Sequence, residues 1–141
     1  MKLQVKKLDP GAKLPERAHA DDAGLDLFSL EACVLERHDT KVLRTGIAMA
    51  ISQGSVGLIL DKSGLAAKHG LTCLGGVIDA GYRGEIMVTL ANLGTEAYTI
   101  TKHQKIAQML IQAVELPAIE EVENLDETER GAAGFGSTGT H

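Results

Sequence analysis

Gly75-Gly76-Val77-Ile78-Asp79-Ala80-Gly81-Tyr82-Arg83-Gly84-Glu85 gathers four glycines, a phenol and a guanidinium around one aspartate. Val77 and Ile78 deliver Asp79 to the edge of a turn, and Gly81 and Gly84 free the backbone around Tyr82. Immediately afterwards Ile86-Met87-Val88-Thr89-Leu90 alternates as a strand, with Ile86, Val88 and Leu90 on one face. Strand, glycine turn and strand predict a hairpin whose backbone approaches a ligand closely, because glycine carries no side-chain wall. The plainer alternative is a surface hairpin in which Asp79 and Gly81 serve only turn chemistry. From this stretch alone the two readings stand level, and the rest of the chain decides between them.

Outward from the stretch, short β segments predominate. Leu3 and Val5 alternate against lysines over residues 2–8, and Asp9-Pro10-Gly11 turns the chain. Leu25 and Leu27 face one way, Asp26 and Phe28 the other. A single strand is predicted from Val42 to Ile51, and another, buried on both faces, over Val56-Gly57-Leu58-Ile59-Leu60. The one helix signal before residue 100 follows: Ser63 suits an N-cap, Ala66 to His69 a turn, and Gly70 a left-handed C-cap. A hydroxyl and glycine at a helix start suit an anion as well as a simple cap. In Lys105–Val114, residues Ile106, Met109, Leu110, Ala113 and Val114 fit a helical stripe better than strict alternation.

At 141 residues the chain is one domain with room for a core. The net charge of −5, without a basic stripe, argues against nucleic acid as a bulk partner. Cys33 and Cys73 frame neither a disulfide scaffold nor a metal knuckle, and read as buried thiols in a reducing compartment. The sequence has no apolar run of membrane-helix length and no signal-peptide core, so a soluble, cytoplasmic protein is expected. Of four aromatics, Phe28, Tyr82 and Phe135 lie beside glycines, which makes them candidates to stack on a planar ligand. Residues 115–129 are acidic and poorly periodic, a linker in composition. The tail Arg130-Gly131-Ala132-Ala133-Gly134-Phe135-Gly136-Ser137-Thr138-Gly139 cannot bury a core. It carries groups that grip phosphates and cover a base, and ordering its glycines without a ligand is costly.

Five segments therefore stand in order: Ala23-Gly24-Leu25-Asp26-Leu27, Lys62-Ser63-Gly64-Leu65-Ala66, Gly76 to Glu85, Lys105-Ile106-Ala107-Gln108-Met109, and Arg130 to Gly139. In sequence and spacing they resemble the five motifs of the homotrimeric deoxyuridine triphosphatases (dUTPases), over nearly the whole chain. The resemblance implies an all-β, distorted jelly-roll-like β-barrel with one short helix and a flexible C-terminal arm. Its expected divisions are a core over 1–114, an acidic linker over 115–129 and an arm over 130–141. It further implies a homotrimer with sites shared between subunits, hydrolysing dUTP to dUMP and pyrophosphate with Mg2+. Such an enzyme limits uracil in DNA and supplies dUMP for thymidylate synthesis. In this family the fourth motif lies on a strand, against the helical reading of residues 105–114.

Roles are likewise what the resemblance implies. Asp79 would deprotonate the water that attacks the α-phosphorus. Tyr82 would lie against deoxyribose and leave no room for a 2′-hydroxyl. Main-chain groups of Gly76, Val77, Ile78 and Met87 would read uracil, excluding a thymine methyl and mismatching cytosine. Ser63 and Gly64 would offer a hydroxyl and an N–H to phosphate, with Lys62 supplying charge and Gln108 support. From the arm, Arg130 would neutralise outer phosphates while Phe135, beside Gly136, stacked over uracil as a lid. Phosphates and waters would hold Mg2+, with Asp26 in its second shell through water. Two departures from the family pattern stand out: Lys62 replaces the usual Arg and so lacks its planar fork, and Asp61 replaces the usual Pro. In the fifth motif, Ala132 and Ala133 take positions that are often acidic or glycine. A dCTP deaminase of the same superfamily would need a general acid/base near the cytosine amine, for which Glu85 is the nearby carboxylate. A non-catalytic trimeric scaffold is the other alternative.

Overall fold

Residues 1–136, 138 and 139 are described by the computed structural model. The helical stripe over 105–114 is overruled: Lys105–Ala113 is a nine-residue strand, the longest among the described residues. Strands pair with it on both sides, so its apolar positions are buried by neighbours on either edge rather than along one helical face. In chain order the strands are β1 (Gln4–Lys7), β2 (Leu25–Phe28), β3 (Cys33–Leu35), β4 (Thr40–Arg44), β5 (Ile47–Ala50) and β6 (Ser55–Leu60). After the helix α1 (Ser63–His69) come β7 (Leu71–Leu74), β8 (Val77–Ile78), β9 (Met87–Asn92), β10 (Tyr98–Ile100) and β11 (Lys105–Ala113).

All pairings are antiparallel. The pairs β2–β11, β3–β10 and β4–β9 nest one inside the next, as if one long hairpin were wrapped on itself. That connectivity makes the fold mostly β and jelly-roll-like. The predicted Val42–Ile51 strand is broken at Thr45-Gly46, where Gly46 takes φ +72° and the chain passes from β4 into β5. The predicted hairpin around the glycine stretch is also corrected. Strand β8 pairs with β6 in the order β2-β11-β6-β8, whereas β9 lies between β4 and β7 in another sheet. Gly75 to Glu85 is thus a corner between sheets.

Ile86, Val88 and Leu90 do face inward together, at 0–1% exposure. They join Leu27, Leu35, Ile47, Ile59, Ile100, Ile106 and Met109 in one aliphatic core. Each such side chain contributes about 1.5–3 kcal/mol on burial. Phe28 is buried too, on the face of β2 that carries Asp26, at 4% exposure with the Lys13 ammonium 4.2 Å from its ring centre, so it is not free to stack on a ligand. Cys33 and Cys73 are free, half-buried thiols. Burial, with a hydrogen bond to Asp61, pushes the Cys73 thiol up to about 12. Among the described residues no helix is long and apolar enough to cross a membrane.

Candidate active site

One cleft forms where β2, β11 and β6 run side by side. The registers Gln108↔Asp26 and Gln108↔Leu60 set these residues abreast, and directly opposed residues share a face. Lys62 follows Leu60 by two positions and joins that face. The result is a cleft of about 380 Å3 lined by Asp22, Gly24, Asp26, Lys62 and Gln108 among others. Asp26 is 4% exposed and its two oxygens are both paired. Oδ1 accepts from Lys62 Nζ at 2.6 Å and Oδ2 takes Lys105 Nζ at 2.8 Å. Burial alone would raise the Asp26 carboxyl; the hydrogen bonds and charges of Lys105 and Lys62 outweigh it and hold its pKa below the usual value.

Gln108 reaches across the cleft and donates from Nε2 to the Asp61 carbonyl at 2.8 Å. Gly24 makes that possible, because a Cβ there would collide with the Gln108 carboxamide. The Asp61 side chain looks the other way, accepting from the Thr72 hydroxyl at 2.8 Å and from the Cys73 N–H at 2.5 Å. Asp61 therefore ties the loop that carries Lys62 to β7, a task the usual proline could not perform. Sequence reasoning named Lys62, Gln108 and Asp26 but missed the tie of Asp61 and the second lysine, Lys105. Lys105 shares its motif with Gln108, yet its partner is visible only in the folded chain.

The corner forms a second, separate pocket of about 210 Å3, lined by Val77, Ile78, Asp79, Tyr82, Glu85 and Met87. Gly76 starts it with φ +100°, and its carbonyl accepts from Ile59 N–H at 2.8 Å. A Cβ at Gly76 would stand 2.7 Å from the Ile59 carbonyl oxygen, so only glycine fits both the angle and the approach. Asp79 is exposed, and among the described residues its carboxylate accepts no hydrogen bond; its carbonyl accepts from the Tyr82 N–H at 3.1 Å. Tyr82, 43% exposed, donates its hydroxyl to the Glu85 carbonyl at 2.9 Å, and its ring lies so close over Gly84 that a Cβ there would collide with it. Glu85 is committed elsewhere: its carboxylate binds Arg44 Nε at 3.2 Å and the Gly46 N–H at 2.8 Å.

Cleft and corner do not meet within one chain. The pairing Leu58↔Val77 and Gly57↔Ile78 carries Asp79 opposite about Val56, six residues before Lys62. Val56 to Leu60, where β6 ends, is about 13 Å along the strand, and Lys62 lies beyond that end. Ser63 and Gly64 lie at the exposed start of α1, beside the cleft residue Lys62. The N-cap is Lys62, with no side-chain capping bond, so Ser63 is the first helical residue rather than the cap. Gly70 does cap the helix in the left-handed conformation, at φ 67°.

Among the described residues, the arm lines neither pocket. Beyond the bond from Val114 N–H to the Gly54 carbonyl, hydrogen bonds of the described residues run only within the segment, such as Arg130 Nε to the Ala133 carbonyl at 2.9 Å. Phe135 is fully exposed, and Gly136 takes φ +89°. Ser137 lies outside the described residues. The linker is not aperiodic after all: Leu116, Ile119, Val122 and Leu125 recur every third residue, all exposed.

Among the described residues no group of three or more His, Cys, Asp or Glu is placed to hold a metal. Asp26, whose carboxylate has lone pairs beyond those taken by the two lysines, fits a water-mediated contact.

The dUTPase family model matches residues 11–139. A deoxyuridine 5′-triphosphate nucleotidohydrolase of Clostridium kluyveri is 49% identical over 142 residues, covering 99% of each chain. That of Rhodococcus erythropolis is 48% identical over 144 residues, covering 100% of this chain and 88% of the relative. Among solved structures, the Staphylococcus bacteriophage 80alpha dUTPase with dUpNHpp superposes with a TM-score of 0.93 at 35% identity, covering 99% of both chains. A mutant dUTPase from phage phi11 of S. aureus, described with a coordinated structural Mg(II) ion, superposes with a TM-score of 0.83 at 32% identity over 88% of this chain and 98% of its own. With its nested strands, its charged cleft, its glycine corner and these likenesses, the chain belongs to the dUTPase family.

Proposed function

We propose that this chain is a dUTP diphosphatase that hydrolyses dUTP to dUMP and pyrophosphate at sites shared between the subunits of a homotrimer. One observation supports the reading: cleft and corner line separate pockets toward opposite ends of β6 on one chain. Lys62 and Asp79 of the same subunit cannot flank one triphosphate, so the corner of one copy faces the cleft of the next. Residues 1–114 act as the core, 115–129 as a strap, and 130–141 as an arm that closes over a neighbouring site.

At the corner, the main chain of Gly76, Val77, Ile78 and Met87 reads uracil, and the Tyr82 ring packs on deoxyribose where a ribose hydroxyl would clash. Asp79, open and unpartnered, orients a water toward the α-phosphorus and takes its proton as pyrophosphate leaves. At the cleft, Lys62, the Ser63 hydroxyl, the Gly64 N–H and Gln108 hold the phosphates. Arg130 adds charge at the outer phosphates, and Phe135, next to Gly136, covers the base. Bound Mg2+ would supply charge neutralisation and fixed phosphate geometry, and Asp26 and the phosphates would hold it through water. The enzyme works in the cytoplasm, limiting uracil in DNA and supplying dUMP for thymidylate synthesis.

Pyrophosphate release from dUTP, dCTP and UTP tests the activity, with release from dUTP alone expected. A chain lacking residues 130–141 and an Asp79→Asn chain, each nearly inactive alone, should regain activity when mixed into common trimers. No recovery in trimers shown to be mixed overturns the shared site, and ammonia release from dCTP would overturn the diphosphatase reading.

A further inference from the structure

Two lysines share the buried Asp26 carboxylate, and only Lys62 has a part in the function proposed above. Lys105 is brought there by a specific irregularity. Across β2 and β11 the register runs Gln108↔Asp26 and Ala107↔Leu27, then skips Ile106 to pair Lys105 with Phe28. In unbroken alternation Lys105 would stand on the face opposite Gln108. The bulge shifts the parity by one, buries Ile106 at 1% exposure, and turns Lys105 onto the face of Asp26. Its Nζ then sits 2.8 Å from Oδ2 while Lys62 Nζ holds Oδ1 at 2.6 Å. One carboxylate is shared by two ammonium groups, with the Glu16 and Asp22 carboxylates also close to the cluster.

The Lys62 ammonium thus spends its free state on Asp26. To meet a triphosphate it must loosen or share that bond. A carboxylate this buried is strongly disfavoured when left without a partner. We propose that Lys105 is a positioning residue of the phosphate site: it keeps Asp26 paired while Lys62 turns from the carboxylate to the outer phosphates. Lys105 need not touch the nucleotide. It makes Lys62 exchangeable, and the proposal rests on the reading of Lys62 as a phosphate contact. A lysine at position 62 suits such an exchange, because a compact ammonium swings between two acceptors more readily than a planar fork fixed by paired bonds.

Calorimetric binding of dUpNHpp and dUMP, each with Mg2+, tests this on wild type, Lys105→Met, Lys105→Arg, Asp26→Asn and the Asp26→Asn/Lys105→Met pair. Without Lys105, Lys62 stays locked on Asp26, so dUpNHpp should weaken about tenfold or more while dUMP changes little. Lys105→Arg should restore affinity. In the Asp26→Asn background, where no buried charge needs a partner, Lys105→Met should add nothing. Lys105→Ser, too short to reach Asp26, repeats the comparison if the methionine variant does not fold. Unchanged dUpNHpp affinity in Lys105→Met overturns the proposal. The same loss with and without the Asp26 carboxylate also overturns it, by making Lys105 a direct phosphate contact. Wild type that binds no dUpNHpp removes the proposed function itself; wild type that binds while Lys105→Met matches it removes only this inference.

Discussion

In the cleft, side chains hold side chains; at the corner, the backbone does the holding. Asp26, Lys62 and Lys105 fix one another, and Gln108 is braced between Gly24 and the Asp61 carbonyl. At the corner Gly76 and the turn from Asp79 to Tyr82 set the shape, and the Asp79 carboxylate is left without a protein partner among the described residues. The difference follows from chemistry. Phosphates are gripped by charge, and charges half-hidden in a sheet must be paired before the ligand arrives. Uracil and an attacking water are met by shape and by one open base, which calls for a rigid main chain and an unencumbered carboxylate. Changes at the corner should therefore separate function from stability, and changes in the cleft should couple them.

The strongest test of that contrast is Asp79→Asn. The change removes the base and no internal bond, so hydrolysis should fall by at least about 10²–10⁴-fold, while stability stays within about 0.5 kcal/mol. Turnover within a few-fold of wild type, or a clear loss of Tm, would erase the distinction. Next in size is Gly76→Ala, the corner position where backbone and stability meet. An alanine forced to φ +100° against the Ile59 carbonyl should cost at least about 1–3 kcal/mol in urea unfolding. An unchanged midpoint would show that the corner tolerates another path.

The smallest effect belongs to the cleft in acid. The Asp26 pKa is lower folded than its ordinary value of 3.8. Its pairing therefore stabilises the fold fully above that ordinary value and is lost as pH falls through the lower folded one. A Tm-against-pH profile should be flatter below about pH 4 in Asp26→Asn than in wild type. Parallel profiles would mean that the two lysines add nothing to the folded state.

Much of this was legible in the chain. The alternation of Ile86, Val88 and Leu90, the left-handed cap at Gly70 and the five motif segments all rest on local chemistry, which neighbours in sequence suffice to specify. Where reading failed, the deciding partner was distant. Val77-Ile78 and Met87-Asn92 look like two arms of a hairpin, and only the pairing of β8 with β6 and of β9 with β4 and β7 separates them. Phe28 sits beside glycine-rich sequence but is buried at 4% exposure with the distant Lys13 over its ring. Ser63 has the composition of a cap, yet the chain enters the helix one residue earlier, at Lys62.

The segment 105–114 draws the line most clearly. Its sequence determined that Ile106 and Met109 would be buried and that Gln108 and Lys105 would be near each other. Whether they lay on a helix or a strand was not in the segment: its apolar spacing satisfies a helical stripe, while the strand flanked by β2 and β6 buries Ile106, Ala107 and Met109 and leaves Ala113 exposed. Tertiary pairing chose the strand, and a single bulge within it chose the face on which Lys105 meets Asp26. Composition and local pattern set which residues this protein would use. Register set which of them touch, because in a sheet one residue of slip reverses every side chain and only the neighbouring strands can fix it.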